Sequence, residues 1–382
     1  MPFLKSVVSF LRSHRRKIAV FAVLGTALYS AYRLRKAYND LKPQFDTSNR
    51  SSPIHKKFET CQRTITLTTY SFLPLLKSRL WEWTKVEDTV RQLKSTDASM
   101  EQKKQELWEK LKIETFTRLI CSAYSLPLLF TVVSLKVALL GRYLTEELKV
   151  PFGDMSSTPS TGDELDKLFR ELRNLQSNSS IDKRTQQAYL DVTCLDTFLN
   201  FQVERVRKSV EQALAHTNIA QTVDMEFWDS LIVAIREKVE TKAAVEENSY
   251  SFSEVPILMA EQELHMVKNG DLEFNGINKD SLVALLNETM DIIEGADFHE
   301  VLLEVVEILF ENIRRHISLS LEKGPSINLA QLLPKVQSIV SQLFVDSTSN
   351  TYIHAMSEID CVENFAALIF LSGEKHEPSE FQ

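Results

Sequence analysis

Nine glycines are spread through 382 residues, and no two of them lie within two positions of each other. Hairpins and βαβ crossovers lean on glycine at their turns, so a chain this poor in it, with 11 prolines besides, is ill-suited to closing many strands. Leu, Glu, Lys, Gln and Ala, all good helix formers, are plentiful. The expected fold class is all-α, and 43% hydrophobic residues give a large helical domain enough core. A net charge of −8, with no basic face after residue 57, argues against nucleic acid as a partner.

Apolar periodicity places the helices. One run starts near Ile54 with Phe58, Ile65, Leu67, Tyr70, Leu73 and Leu76 on its apolar positions, and Pro74 should kink or break it. A turn at 95–99 precedes a helix on which Met100, Leu107, Trp108 and Leu111 share an arc of about 100°. From Ile113 onward that helix is apolar all round, so it starts at the surface and dives into the core. Its continuation, 126–140, is apolar enough to suggest a membrane span. Lys136 would then sit in hydrocarbon at a cost of about 2.5–3.5 kcal/mol, so a buried central helix is the better reading. After a loop at 150–163 and a polar break at 177–180, a long helix should run to about His216. Its stripe of Val192, Leu195, Leu199, Val203, Val206, Val210 and Leu214 has bundle spacing. Helices are expected at 227–239, 281–293, 297–319, 329–345 and 352–371, with 249–280 irregular and a hairpin at 249–255 the weaker option against loop and short helix.

The fifteen residues 18–32 carry no charge. Ile18, Val20, Phe21, Val23, Leu24 and Leu28 supply apolar surface, and Tyr29 and Tyr32 sit where interfacial aromatics belong. Arg12, Arg15, Arg16 and Lys17 precede the stretch; Arg33, Arg35 and Lys36 follow it. A bilayer core takes about 20 apolar residues, but basic side chains that lift their charges to the interface let a shorter stretch span. We read a single-span anchor, against two competing readings, a cleaved secretory signal and a buried core helix. The secretory reading lacks a small-x-small cleavage site. Asn49, Asn178 and Asn287 begin N-x-S/T triplets, which chance also supplies, and Cys61, Cys121, Cys194 and Cys361 show no disulfide-scaffold spacing. A reducing compartment fits better, which puts the bulk of the chain in the cytosol. The expected organisation is a basic targeting segment at 1–17, an N-terminal transmembrane helix at 18–32, a linker at 33–53, a helical-bundle domain at 54–371 and a frayed tail at 372–382.

No phosphate-cradling glycine loop, nucleophile elbow, C-x-x-C or zinc-binding H-E-x-x-H occurs; His299-Glu300 is followed by Val-Leu-Leu. The residues give no catalytic set, no metal site and no cofactor, and a helical domain without motif chemistry reads as a binding module rather than an enzyme. Trp108 stands out. It is either a core tryptophan or an exposed anchor beside Leu107, with Lys104 near it. Indole plus ammonium is what a groove for an acidic amphipathic helix needs.

Several stretches resemble the peroxin-3 family of peroxisome biogenesis proteins. Phe58-Glu59, Gln62-Arg63-Thr64 and Leu73-Pro74-x-Leu76 resemble its first cytosolic helix. Leu107-Trp108-Glu109-x-Leu111-Lys112-Ile113, followed by Phe116-Thr117-Arg118, is similar to its tryptophan-bearing helix. Leu285-Leu286-Asn287-Glu288-Thr289, Asp297-Phe298, Leu332-Leu333-Pro334 and Asn364-Phe365-Ala366-Ala367 resemble its C-terminal half. The resemblance implies a single-pass protein of the peroxisomal membrane with a twisted multi-helix bundle in the cytosol. It further implies that this bundle docks peroxin-19, the soluble carrier of peroxisomal membrane proteins, through the carrier's N-terminal amphipathic helix. Trp108 would be the central contact, with Leu93, Lys94, Lys104 and Leu107 around it. Membrane lipid, and membrane-protein cargo brought by the carrier, would be further partners. Where the family can carry a basic residue three before the proline of Leu332-Leu333-Pro334, this chain has Gln331. A membrane-anchored tether or adaptor for organelle inheritance or turnover is the alternative function.

Overall fold

In the computed structural model the described residues are 53–97, 100–146, 181–191, 195–241, 251–269, 277–322, 327–347 and 349–372. The targeting segment, the anchor at 18–32 with Tyr29 and Tyr32, nearly all of the linker, the loop at 150–163, Cys194 and the tail from 373 lie outside them. Among the described residues there are twelve α-helices and one two-residue antiparallel ladder. The all-α expectation holds.

The architecture follows from one helix. α1 (Pro53–Trp83) and α2 (Val86–Ser95) lead into α3 (Glu101–Glu146), 46 residues long and so about 69 Å at 1.5 Å per residue. Its first turns are mostly exposed, and from Thr115 to Leu140 every side chain is buried. α1, α2, α5, α9, α10 and α12 all pack against it (α4, Lys183–Asp191; α5, Leu195–Leu214; α6, Met225–Glu240; α7, Val255–Asn269; α8, Lys279–Ile293; α9, Ala296–Glu322; α10, Leu329–Leu343; α11, Thr351–Ser357; α12, Asp360–Leu371). The ladder joins β1 (Thr222–Val223) to β2 (Ile327–Asn328), tying the approach to α6 to that of α10.

Among the described residues the one helix long and apolar enough to cross a membrane is Glu101–Leu144, and its apolar window is wholly buried. It is the axis of the bundle. Several of the polar side chains on its buried stretch find partners inside the protein. Ser122, Ser125, Thr131 and Ser134 donate to carbonyls four residues back at 2.5–2.8 Å. Lys136, 1% exposed, pairs with Glu263 of α7 at 2.7 Å, donates to the Tyr189 carbonyl at 3.3 Å and lies 5.2 Å from that tyrosine's ring centre.

Three expectations are corrected. α1 runs through Pro74 unbroken, because the proline faces solvent while Leu73, Leu76 and Leu80, all fully buried, hold both halves on the core. The region 249–280 contains a 3₁₀ turn and the four-turn helix α7 rather than irregular chain. A Ser251–Glu254 capping box starts it, and Val255, Met259, Leu264 and Val267 bury one face. The helix expected at 352–371 is two, α11 and α12. Of the long helix expected up to His216, α4 and α5 are helical as expected, and residues 192–194 between them, with Val192 of the stripe, lie outside the described residues.

The direction of α1 and α3 locates the ends. At one end a Cβ on Gly141 would lie 2.8 Å from the Phe370 ring and 3.5 Å from Cys61 Sγ, and Phe58 and Phe370 stack with centroids 5.7 Å apart. At the other, Thr84 meets Arg118. α1 and α3 are therefore antiparallel. Residues 1–52 join the bundle at the Gly141 end, and α12 finishes there too.

Candidate functional site

At the opposite end from Gly141, α2 and the start of α3 form a helical hairpin around a five-residue connection. Arg118, six residues past Lys112 on α3, secures it. Its side chain is 2% exposed. Nε donates to Thr84 Oγ1 at 2.8 Å, Nη2 donates to the Thr84 carbonyl, and the two Nη groups grip both oxygens of Glu87 at 2.5 and 2.7 Å. The guanidinium also lies 4.2 Å from the Trp81 ring centre. Burial tends to raise the Glu87 carboxyl, but the hydrogen bonds and charge of Arg118 outweigh it and hold the group below the usual range. One buried arginine thus fixes the corner between α1 and α2 onto α3.

Lys112, 1% exposed, does the same on another side. Its ammonium donates to the carbonyls of Leu214 at 3.3 Å and Thr217 at 2.7 Å, where α5 ends, and pairs with Glu109 at 2.5 Å. A cation there satisfies orphan carbonyls and complements the helix dipole. The chain after α5 then passes to α10, whose Leu329 and Ala330 N–H groups donate to Gln221 and Ile219. Gln331 closes a capping box with Asn328 at the start of α10, donating its N–H at 3.0 Å and accepting at 3.1 Å. That is a structural role a basic side chain would not fill.

One turn before Lys112 on α3, toward the connection, lies the tryptophan turn. Trp108 is half-buried, packed against the core without being fully enclosed by it. Leu107 is 7% exposed, pointing inward beneath it. Lys104 is half-buried, Leu93 half-buried against the same core, and Lys94 exposed in the last turn of α2. The Glu87–Arg118 bond sets the register. Lys94 lies about 10 Å and Trp108 about 15 Å from it, both toward the connection, at 1.5 Å per residue. The five expected residues therefore fall at one end, with Leu107 as support rather than surface.

Sequence reasoning assigned no role to Arg118, although it appears in the quoted Phe116-Thr117-Arg118 stretch. Nor did it foresee that Met100, on the same arc as Leu107, would be 51% exposed, or that Trp83 at the α1–α2 corner would be exposed as well. A buried arginine in an apolar run was the available signal. Among the described residues no group of three or more His, Cys, Asp or Glu could hold a metal ion. Cys61, Cys121 and Cys361 are buried thiols, and burial pushes Cys61 up to about 12.

A sequence model of the family described as Peroxin-3 matches residues 94–372, taking in Lys94, Lys104, Leu107 and Trp108 and leaving Leu93 one residue outside. The chain is also similar to Peroxisomal biogenesis factor 3 of Cricetulus longicaudatus, 24% identical over 96% of this chain and 97% of that one. The Homo sapiens protein of that name is 23% identical over 96% and 97%. That of Debaryomyces hansenii is 23% identical over 98% and 100%.

Proposed function

This chain belongs to the Peroxin-3 family of peroxisome biogenesis factors, and from that premise we propose that it is the docking receptor for peroxin-19 at the peroxisomal membrane. In this reading 18–32 spans the bilayer, and the bundle stands in the cytosol on a linker. The carrier's N-terminal amphipathic helix docks at the Trp108 end, and cargo is released beside the lipid. Relatives named as biogenesis factors suit a receptor rather than an enzyme.

One observation carries the proposal. A half-buried tryptophan, one turn from Lys104 and at the same end as an exposed methionine and Lys94, sits on a braced helix about 50 Å from Gly141, the end at which residues 1–52 join. Apolar anchors flanked by cations suit an acidic amphipathic helix, whose apolar side chains cover the ring while its carboxylates meet Lys94 and Lys104.

The test is calorimetric titration of the purified full-length chain, in mild detergent, with a peptide of the peroxin-19 N-terminal helix. Trp108→Ala should weaken binding by about 2 kcal/mol or more, the usual cost of truncating a central aromatic, with helicity by circular dichroism unchanged. Unaltered affinity in a folded variant would refute the site.

A further inference from the structure

We propose that Arg118 is the positioning residue of the docking face, holding α2 so that Lys94 and Leu93 stand at a set distance from Trp108; this rests on the docking reading above. Arg118 touches none of the five expected contact residues in its own bonds. It acts through the corner it fastens.

Three features separate this from ordinary packing. First, the bonds are directional. A planar guanidinium satisfies both oxygens of Glu87, the hydroxyl and carbonyl of Thr84, and a tryptophan face at once, so it fixes an angle as well as a separation. Second, the rest of the attachment of α2 is modest. It is ten residues long, Val86 and Thr89 are its fully buried side chains, Val90 and Leu93 are only half-buried, and no side chain caps its N-terminus. A helix this short is marginal unless its neighbours hold it. Third, the grip is at the first turn of α2, whereas Leu93 and Lys94 lie in its last two turns. Tilting about a loosened first turn would displace those residues most.

Lysine at 118 keeps the charge but can neither fork onto Glu87 nor stack flat on Trp81. Arg118→Lys should leave the chain folded and weaken binding of the peroxin-19 helix peptide by roughly fivefold to thirtyfold. Glu87→Gln should do the same to a smaller degree, and the double variant should be no weaker than Arg118→Lys alone. The decisive arm uses Lys94. Lys94→Gln should reduce affinity in the unsubstituted background and cause no further loss beside Arg118→Lys, because a displaced Lys94 no longer meets the peptide. Amide exchange should quicken across 86–95 while the middle of α3 stays protected.

Unchanged affinity in Arg118→Lys would overturn the proposal, as would additive losses from Arg118→Lys and Lys94→Gln. Equal loss of protection in α2 and the middle of α3 would also overturn it, by making Arg118 a plain stability residue. Should Arg118→Lys not fold, Glu87→Gln decides through the same Lys94 comparison. If Trp108→Ala binds as tightly as the unsubstituted chain, the docking reading fails and takes this inference with it. If Trp108→Ala loses binding and Arg118→Lys does not, the docking reading stands and this one falls.

Discussion

At the scale of single residues, the deepest charges among the described residues are three cations, Lys112, Arg118 and Lys136, and one anion, Glu263, each with a named partner. Lys136 and Glu263 are both nearly inaccessible, and removing one leaves the other charged in an apolar interior. Lys136→Met should therefore lower the unfolding free energy by about 3–5 kcal/mol in urea titrations. Adding Glu263→Leu should recover most of the loss, short of the share owed to the Tyr189 carbonyl that Lys136 also serves. No recovery in the double variant would mean the pair is not the source of the cost. Lys136 also shows what a sequence can disclose. Its charge argued against a span, and the burial of its helix agrees, but Glu263 lies 127 positions away on a helix the pattern did not reveal. Trp108 was legible as the residue to watch; whether it was sealed or open was not, because that depends on how α2 leans.

Helices were legible where their stripes are long and regular. Leu199, Val203, Val206, Val210 and Leu214 are all buried as their spacing requires. The α7 region was not, since Val255-Pro256 at its start and a buried glutamate on its inner face blur the apolar period. The split between α11 and α12 was hidden for the opposite reason, because the apolar pattern continues across the break. For α2, attachment depends on an ionised Glu87. Its folded value lies below the ordinary glutamate value of about 4.3. The attachment is therefore present in full above that value and fades as pH falls through the depressed folded one. Measured as the ratio of α2 amide-exchange rates in Glu87→Gln and the unsubstituted chain, the difference should be constant near neutrality and shrink only once pH falls below the ordinary glutamate value. A ratio independent of pH would show that Glu87 contributes nothing as an anion.

On the scale of the whole molecule, a single helix organises the described residues, and this was half-visible. Its surface start and apolar middle could be read from the chain, but not its neighbours, which are set by contacts between distant segments. The N-terminal segment is tested separately. A reporter carrying residues 1–40 should sediment with peroxisomal membranes and resist alkaline extraction, as a span does; a diffuse or carbonate-released reporter would remove the anchor. The meeting of Phe58, Gly141 and Phe370 has a practical corollary. Pro53 and Ser372, the first and last positions described, leave from neighbouring places, so fluorescent labels placed at those two positions would crowd together. Energy transfer between them would be strong, and on the docking proposal insensitive to a bound helix, whose arrival a dye near Met100 should report.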